Sequence, residues 1–191
     1  GCTNSAEITL NQPEEPLTAN AEAFEFPSGD NISCLGANDG SIESLAAGGT
    51  PPYSYNWNGP NDFTSDEANI SNLEPGEYTL VVEDANDCVF TINITITEPL
   101  TQVDSELIVS GEILCSGDET GSLEVVGDGG SPGYSIAWTG PDGFSSTEFT
   151  IDNLAPGTYT YELEDINGCS TNGSHTFLNP SQLIVNGEVI D

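Results

Sequence analysis

The chain of 191 residues contains no lysine and no arginine, while 32 aspartate and glutamate residues give it a formal net charge of −32. This absence excludes binding to DNA or RNA, because neutralising phosphates requires basic side chains. It also excludes binding to an anionic membrane surface. Isopeptide cross-links, which consume a lysine, are ruled out, and His175 is the only side chain that could form a salt bridge.

Three further absences narrow the function. No apolar run approaches the roughly 20 residues of a membrane-spanning helix, so membrane insertion is not expected. No Cys-x-x-Cys pair is present, which disfavours structural zinc. The single histidine, His175, has Ile94 as its counterpart in the repeat described below, so nothing supports a catalytic site and the chain is predicted not to be an enzyme. The hydrophobic share of 36% is nevertheless enough for two small cores.

The chain repeats itself at a spacing of 81 residues. A period this long corresponds to one small domain per repeat and not to one turn of a solenoid. Tandem domains are typical of spacers and fibres, and the uniform negative charge favours an extended arrangement. The equivalent pairs are Cys34 and Cys115, Trp57 and Trp138, Tyr78 and Tyr159, Cys88 and Cys169, and Pro99 and Pro180.

Short runs of alternating β-branched, aromatic and polar residues, separated by Gly, Pro, Asn and Asp, predict strands and no helix. About seven strands in each repeat predict an all-β fold of tandem immunoglobulin- or fibronectin-III-like β-sandwich modules. Trp57, Trp138, Tyr78 and Tyr159 are predicted to lie in the cores. The predicted organisation is the last strand of a preceding repeat (1–13), a first module (14–98), a second module (99–180) and the first strand of a following repeat (181–191), as in an internal fragment of a longer protein.

Five cysteines fit one disulfide per repeat, which implies an oxidising, extracellular location. The equal spacings favour Cys34–Cys88 and Cys115–Cys169, with Cys2 pairing outside the fragment. Immunoglobulin-like topology offers an alternative. The end of the first strand and the turn before the last strand lie at opposite poles of a sandwich, and Cys34 would then pair with Cys169 across the module junction.

Five ordered motifs resemble the SprB-type repeat. They are Cys-x-Gly-x-x-x-Gly-Ser (34–41 and 115–122), Gly-Gly-x-Pro-x-Tyr-Ser (48–54 and 129–135), Trp-x-Gly-Pro-x-x-Phe (57–63 and 138–144), Leu-x-Pro-Gly-x-Tyr-Thr (73–79 and 154–160) and Asp-x-Asn-x-Cys (84–88 and 165–169). The resemblance implies a very large surface protein of Bacteroidota, secreted by the type IX system, that forms a cell-surface filament in adhesion or gliding motility.

The function expected from repeat and resemblance is structural and adhesive, in an extracellular filament or giant surface adhesin. Two alternatives are an accessory binding module of a secreted polysaccharide-degrading enzyme and a self-assembling sheath or surface layer. The expected partners are neighbouring repeats of the same chain, with lateral self-association and surface glycans as further candidates.

Calcium is the one candidate cofactor, because hard oxygen ligands in irregular loops suit Ca²⁺. The same Asp-x-Asn pattern is also common turn chemistry without any metal. The candidate ligands are Asp39, Asp84, Asp87, Asp118 and Asp165.

Overall fold

The computed structural model describes residues 12–182, and all regular structure in that range is strand except for two three-residue 3₁₀ turns. Among the described residues, no helix is long and apolar enough to cross a membrane. The fourteen strands are β1 (Thr18–Ala23), β2 (Gly40–Ala47), β3 (Ser54–Asn58), β4 (Thr64–Ser65), β5 (Ile70–Leu73), β6 (Gly76–Glu83), β7 (Val89–Ile96), β8 (Val103–Gly111), β9 (Gly121–Gly129), β10 (Ser135–Thr139), β11 (Ser145–Ser146), β12 (Thr150–Leu154), β13 (Gly157–Glu164) and β14 (Ser170–Phe177).

The chain folds into two compact units with seven described strands each. The first unit comprises described residues 12–25 and 36–98, and the second comprises residues 26–35 and 99–182. The chain therefore leaves the first unit after residue 25 and returns to it at residue 36. The predicted module 14–98 includes this ten-residue segment, whereas the structure assigns the segment to the second unit.

Each unit contains one three-stranded and one four-stranded antiparallel sheet. In the first unit the strand orders are β1-β2-β5 and β4-β3-β6-β7, and in the second they are β8-β9-β12 and β11-β10-β13-β14. The order is the same in both units once equivalent strands are matched. The prediction of an all-β, immunoglobulin-like sandwich with about seven strands per module is confirmed.

Period-two alternation decides which face of each strand is buried. Strand β13 alternates strictly between buried and exposed residues, and its buried face carries Tyr159, Tyr161 and Leu163. Strand β6 presents the equivalent residues Tyr78, Leu80 and Val82. Since successive side chains of a strand point to opposite faces, this pattern decides which face of the strand packs against the opposite sheet.

The two tryptophans lie at the centres of the cores. Trp57 and Trp138 are at most 1% exposed, and each indole N–H donates to a backbone carbonyl, of Glu67 at 3.1 Å and of Glu148 at 3.0 Å. A buried indole without such an acceptor would carry an unpaired donor. The four predicted core residues, Trp57, Trp138, Tyr78 and Tyr159, are all buried.

Candidate functional site: a cysteine segment and its cradle

A disulfide joins Cys34 to Cys169, which are 135 residues apart in the chain, with an S–S distance of 2.05 Å and a Cα–Cα distance of 5.8 Å. Cys34 lies in residues 26–35, here called the cysteine segment, and both partners belong to the second unit. The favoured pairings Cys34–Cys88 and Cys115–Cys169 are therefore wrong for this structure. The alternative drawn from immunoglobulin topology, Cys34–Cys169, is the one observed.

Strand length explains why the favoured pairing does not form. Gly117, two residues after Cys115, donates its backbone N–H to Asn179 Oδ1 at 3.4 Å, beyond the end of β14. Cys169 immediately precedes the start of β14. Eight residues of strand separate the two ends by about 26 Å, whereas a disulfide requires Cα atoms within about 7 Å.

A buried carboxylate holds the backbone around Cys169. Asp165 is 5% exposed, and its Oδ1 accepts the N–H groups of Asn167 and Cys169, both at 2.9 Å. Its Oδ2 accepts the N–H of Ser131 at 2.9 Å. Three charge-assisted hydrogen bonds from one side chain fix this turn. We call Asp165, Asn167, Cys169 and Ser131 the second-unit cradle.

The side chain of Asn167 binds the cysteine segment directly. Its Nδ2 lies 2.9 Å from Ser28 Oγ, 3.0 Å from the Ser33 carbonyl oxygen and 3.1 Å from Ser131 Oγ. Its Oδ1 accepts the N–H of Ser28 at 3.3 Å. The disulfide and the side-chain amide of Asn167, which contacts Ser28 and Ser33, therefore both hold the cysteine segment.

The first unit contains a second cradle, 81 residues earlier, with the same internal bonds. Asp84 Oδ1 accepts the N–H groups of Asn86 at 2.9 Å and Cys88 at 3.0 Å, and its Oδ2 accepts the N–H of Thr50 at 2.8 Å. Asn86 Nδ2 donates to Thr50 Oγ1 at 2.8 Å. Thr50, Asp84, Asn86 and Cys88 are the first-unit cradle.

The two cradles differ in exposure. Cys88 carries a free thiol and is exposed, as is Asn86. In the second unit Cys169 is buried and Asn167 is half-buried, because the cysteine segment covers them. The first-unit cradle therefore has the geometry of the second but presents its cysteine and asparagine to solvent.

The surroundings shift the pKa of both titratable groups of the first-unit cradle, Asp84 and Cys88. Desolvation raises the pKa of Asp84, but the backbone N–H groups of Thr50, Cys88 and Asn86 together outweigh it and hold that pKa below its ordinary value. The negative charge of Asp84 is the main cause that raises the pKa of the Cys88 thiol. Desolvation, a hydrogen bond with Asp84 and the charge of Asp87 act in the same direction.

The candidate calcium ligands do not converge. Asp84 and Asp165 each use both carboxylate oxygens to accept backbone N–H groups, while Asp39, Asp87 and Asp118 are exposed. Within residues 12–182, no group of three or more His, Cys, Asp or Glu side chains is arranged to hold a metal ion. The Asp side chain of the Asp-x-Asn motif stabilises the turn by accepting backbone N–H groups. Calcium binding stays a prediction without geometric support.

Three further rings pack within the units. Phe63 and Phe144, which end the Trp-x-Gly-Pro-x-x-Phe motif, lie edge-on against Tyr78 and Tyr159 with centroid separations of 5.4 and 5.3 Å. His175 stacks against Phe177 at 4.6 Å. These rings contribute to packing, and Cys2 and residues 183–191 lie outside the described residues.

Comparison with protein families decides what the repeats are. The model of the SprB repeat matches residues 29–62 and residues 109–143. Both repeats of the chain are thus similar to the SprB repeat. Each matched range holds the first cysteine of its repeat and ends in the 3₁₀ turn that follows the buried tryptophan. The resemblance drawn from the five motifs is confirmed.

A search of curated proteins found no match to these SprB repeats. Solved structures with a similar fold include the three N-terminal domains of the bacteriophage RB49 highly immunogenic outer capsid protein Hoc (15% identity, TM-score 0.43, 85% of this chain and 59% of that one). Extracellular domains 3–5 of Drosophila OTK (15%, 0.33, 86% and 61%) and a complex of Dpr2 Ig1-Ig2 with DIP-Theta Ig1-Ig3 (10%, 0.27, 87% and 65%) are also similar. The chain spans about three fifths of the length of these structures.

Sequence reasoning missed Asn167 and Ser28, the residues that hold the cysteine segment. A signal was present in the spacing between Pro13 and Cys34, which is five residues longer than that between Pro99 and Cys115. The extra residues include a tight turn, in which Gly29 donates to the carbonyl of Phe26 at 2.9 Å. The turn places Ser28 beside Asn167.

Proposed function

We propose that this chain is a load-bearing section of an extracellular, cell-surface filament that serves in adhesion or gliding. Cys34, in a segment that the chain inserts between two parts of the first unit, is bonded to Cys169 of the second unit. That single observation carries the proposal, because the disulfide closes a loop of the chain and limits how far the filament lengthens under load if part of that loop unfolds.

Three further features support a structural, secreted protein. SprB repeats occur in cell-surface proteins. A disulfide implies an oxidising compartment. The charge of −32 keeps such a filament soluble and disfavours its collapse onto itself. We propose a non-catalytic role, because the single histidine of the sequence, His175, packs against Phe177 and has Ile94 as its counterpart in the first repeat.

Neighbouring repeats of the same chain are the partners that we propose. Lateral self-association and surface glycans remain predictions. Two apolar segments of the sequence, Leu107-Ile-Val and Leu183-Ile-Val, are the candidates for lateral pairing. The first lies in β8 at an edge of its three-stranded sheet, with Val109 36% exposed. The second lies outside the described residues.

Labelling of intact cells tests the proposal. Antibodies raised against this chain should bind unpermeabilised cells of the source organism, and electron microscopy should show them along thin strings. A module of strands up to about ten residues long gives a bead spacing of about 35–40 Å. Label that appears only after permeabilisation would contradict the surface location. Thick rods with helical order would favour the alternative of a self-assembling sheath.

A further inference from the structure

The two free thiols of the described chain occupy the repeat positions of the two bonded cysteines. Cys88 is equivalent to Cys169, and Cys115 is equivalent to Cys34. Both are exposed. If the Cys34–Cys169 bond shows how one repeat is joined to the next, then each free thiol is one half of an equivalent disulfide whose other cysteine belongs to another repeat.

The surroundings of Cys88 match those of Cys169 once the cysteine segment is removed. The cavity beside Cys169 measures about 260 Å³ and is lined in part by Cys34 and Leu35. The cavity beside Cys88 measures about 490 Å³ and is lined by no residue of a cysteine segment. Eight other lining residues correspond one to one between the two cavities. In the first unit they are, in chain order, Pro13, Glu15, Pro16, Leu17, Gly49, Asp84, Cys88 and Val89. Their counterparts in the second unit, in the same order, are Pro99, Thr101, Gln102, Val103, Gly130, Asp165, Cys169 and Ser170.

The other half of the joint is presented by the second unit. Residues 113–115 are equivalent to residues 32–34. Ile113 is buried in the core of its unit, as Ile32 is buried, while Leu114 is 80% exposed and Cys115 is exposed. Leu114 corresponds to Ser33, whose carbonyl oxygen accepts the hydrogen bond from Asn167. A backbone carbonyl is available at Leu114 whatever its side chain, so the same contact can form.

We propose that SprB repeats of this type are cross-linked in series. The first-unit cradle receives the cysteine segment of the preceding repeat, which forms a disulfide with Cys88. Cys115 forms a disulfide with the cysteine of the following repeat that corresponds to Cys88. The occupant of the cavity beside Cys88 is therefore a segment equivalent to residues 26–35, carried by the same polypeptide upstream.

The chemistry is thiol–disulfide exchange with a low-molecular-weight disulfide such as oxidised glutathione. One protein thiolate attacks that disulfide, which forms a mixed disulfide and releases one glutathione thiolate. The second protein thiolate then attacks the protein sulfur of the mixed disulfide and releases the second glutathione. Two protein thiols are oxidised, and one glutathione disulfide is reduced to two thiols.

A mixing experiment tests the proposal with this chain, in which a second copy supplies the missing segment. All variants carry Cys2→Ser and retain the Cys34–Cys169 disulfide. Cys88→Ser leaves Cys115 as the only free thiol, and Cys115→Ser leaves Cys88. Each variant alone, and an equimolar mixture at millimolar protein, is equilibrated in a glutathione redox buffer. Salt at about 0.5 M screens the repulsion between the acidic chains.

The proposal expects the mixture to form disulfide-linked dimers at least tenfold in excess of either variant alone, with mass spectrometry identifying a Cys88–Cys115 peptide. Asn86→Ala should reduce this yield severalfold, while Asn93→Ala, on the exposed face of β7, should leave it unchanged. Homodimers in amounts equal to the heterodimer would overturn the proposal, since they indicate random collision. Glutathione adducts without protein dimers would overturn it as well.

Discussion

At the scale of single residues, the two equivalent aspartates decide the geometry around the cysteines. Asp165 and Asp84 are 5% and 4% exposed, and each accepts hydrogen bonds from three backbone N–H groups. A carboxylate in this position is unlike the usual surface acid of this chain. Its energetic role comes from satisfied donors, since the chain has no lysine or arginine to pair with it.

Replacing Asp165 with alanine should therefore destabilise the second unit. Three backbone donors lose their acceptor, and leaving them unsatisfied costs about 2–4 kcal/mol in total. Thermal unfolding of the oxidised chain measures the effect. Glu162→Ala, on the exposed face of β13, is the matched control and should stay within about 0.5 kcal/mol of the parent. A D165A variant as stable as the control would contradict the assigned role.

The raised pKa of Cys88 predicts slow alkylation at neutral pH. Thiols react as thiolates, and the charges of Asp84 and Asp87 disfavour the thiolate of Cys88. Because the pKa is raised, the rate at Cys88 should keep rising with pH beyond the range in which an unperturbed thiol has levelled off. Asp87→Asn should move the profile to lower pH without removing the hydrogen bonds of Asp84. Quantitative iodoacetamide labelling over pH 6–11 measures both profiles, and an unmoved profile in D87N would refute the contribution of the Asp87 charge.

At the scale of elements, the sequence pattern predicted the buried faces of the strands but not the disulfide pairing. Alternation in β6 and β13 predicted the buried faces correctly, as did the positions of Trp57 and Trp138. The disulfide could not be chosen from spacing, because two cysteines 54 residues apart satisfy any spacing rule yet lie at opposite ends of an eight-residue strand. The role of Asn167 depends on an asymmetric five-residue insertion, which a strictly periodic comparison overlooks.

The cysteine segment should become exchangeable when its disulfide is removed. Cys34→Ser removes the covalent link and leaves the hydrogen bonds of Asn167 to Ser28 and Ser33, and such bonds contribute about 1 kcal/mol each. In the chain-entropy model, losing a closed loop of 135 residues costs about 5 kcal/mol. Hydrogen exchange of residues 26–35 should accelerate in C34S, and exchange in β6 should change little. Equal protection of the segment in C34S and in the parent would contradict the proposed dependence on the disulfide.

The Asp-x-Asn turn should not depend on calcium. Both oxygens of Asp84 and of Asp165 accept backbone N–H groups, so a cation would have to displace these bonds. The melting temperature should be the same in excess chelator and in millimolar calcium at matched ionic strength. A rise of several degrees in calcium would revive the sequence-based hypothesis and locate its ligands elsewhere.

At the scale of the whole molecule, the shortest covalent connection between the two chain ends runs through the Cys34–Cys169 disulfide and not along the whole backbone. Force applied to the two ends of an oxidised chain passes from Cys34 to Cys169 through the disulfide, so the intervening residues bear none of it. If the free thiols are bonded to flanking repeats as inferred above, the same holds along the filament. A module could then unfold without the filament lengthening by the full extent of its chain. Such a filament suits a cell-surface tether under shear.

Single-molecule pulling from the two chain ends tests this central claim most directly. Reduction should release the loop between Cys34 and Cys169, which are 135 residues apart, and add about 470 Å to the fully extended length at about 3.5 Å per residue. The C34S variant should show the longer extension with or without reductant. The account predicts that only the oxidised parent is short. Equal extensions for the parent before and after reduction would show that the disulfide does not carry the load.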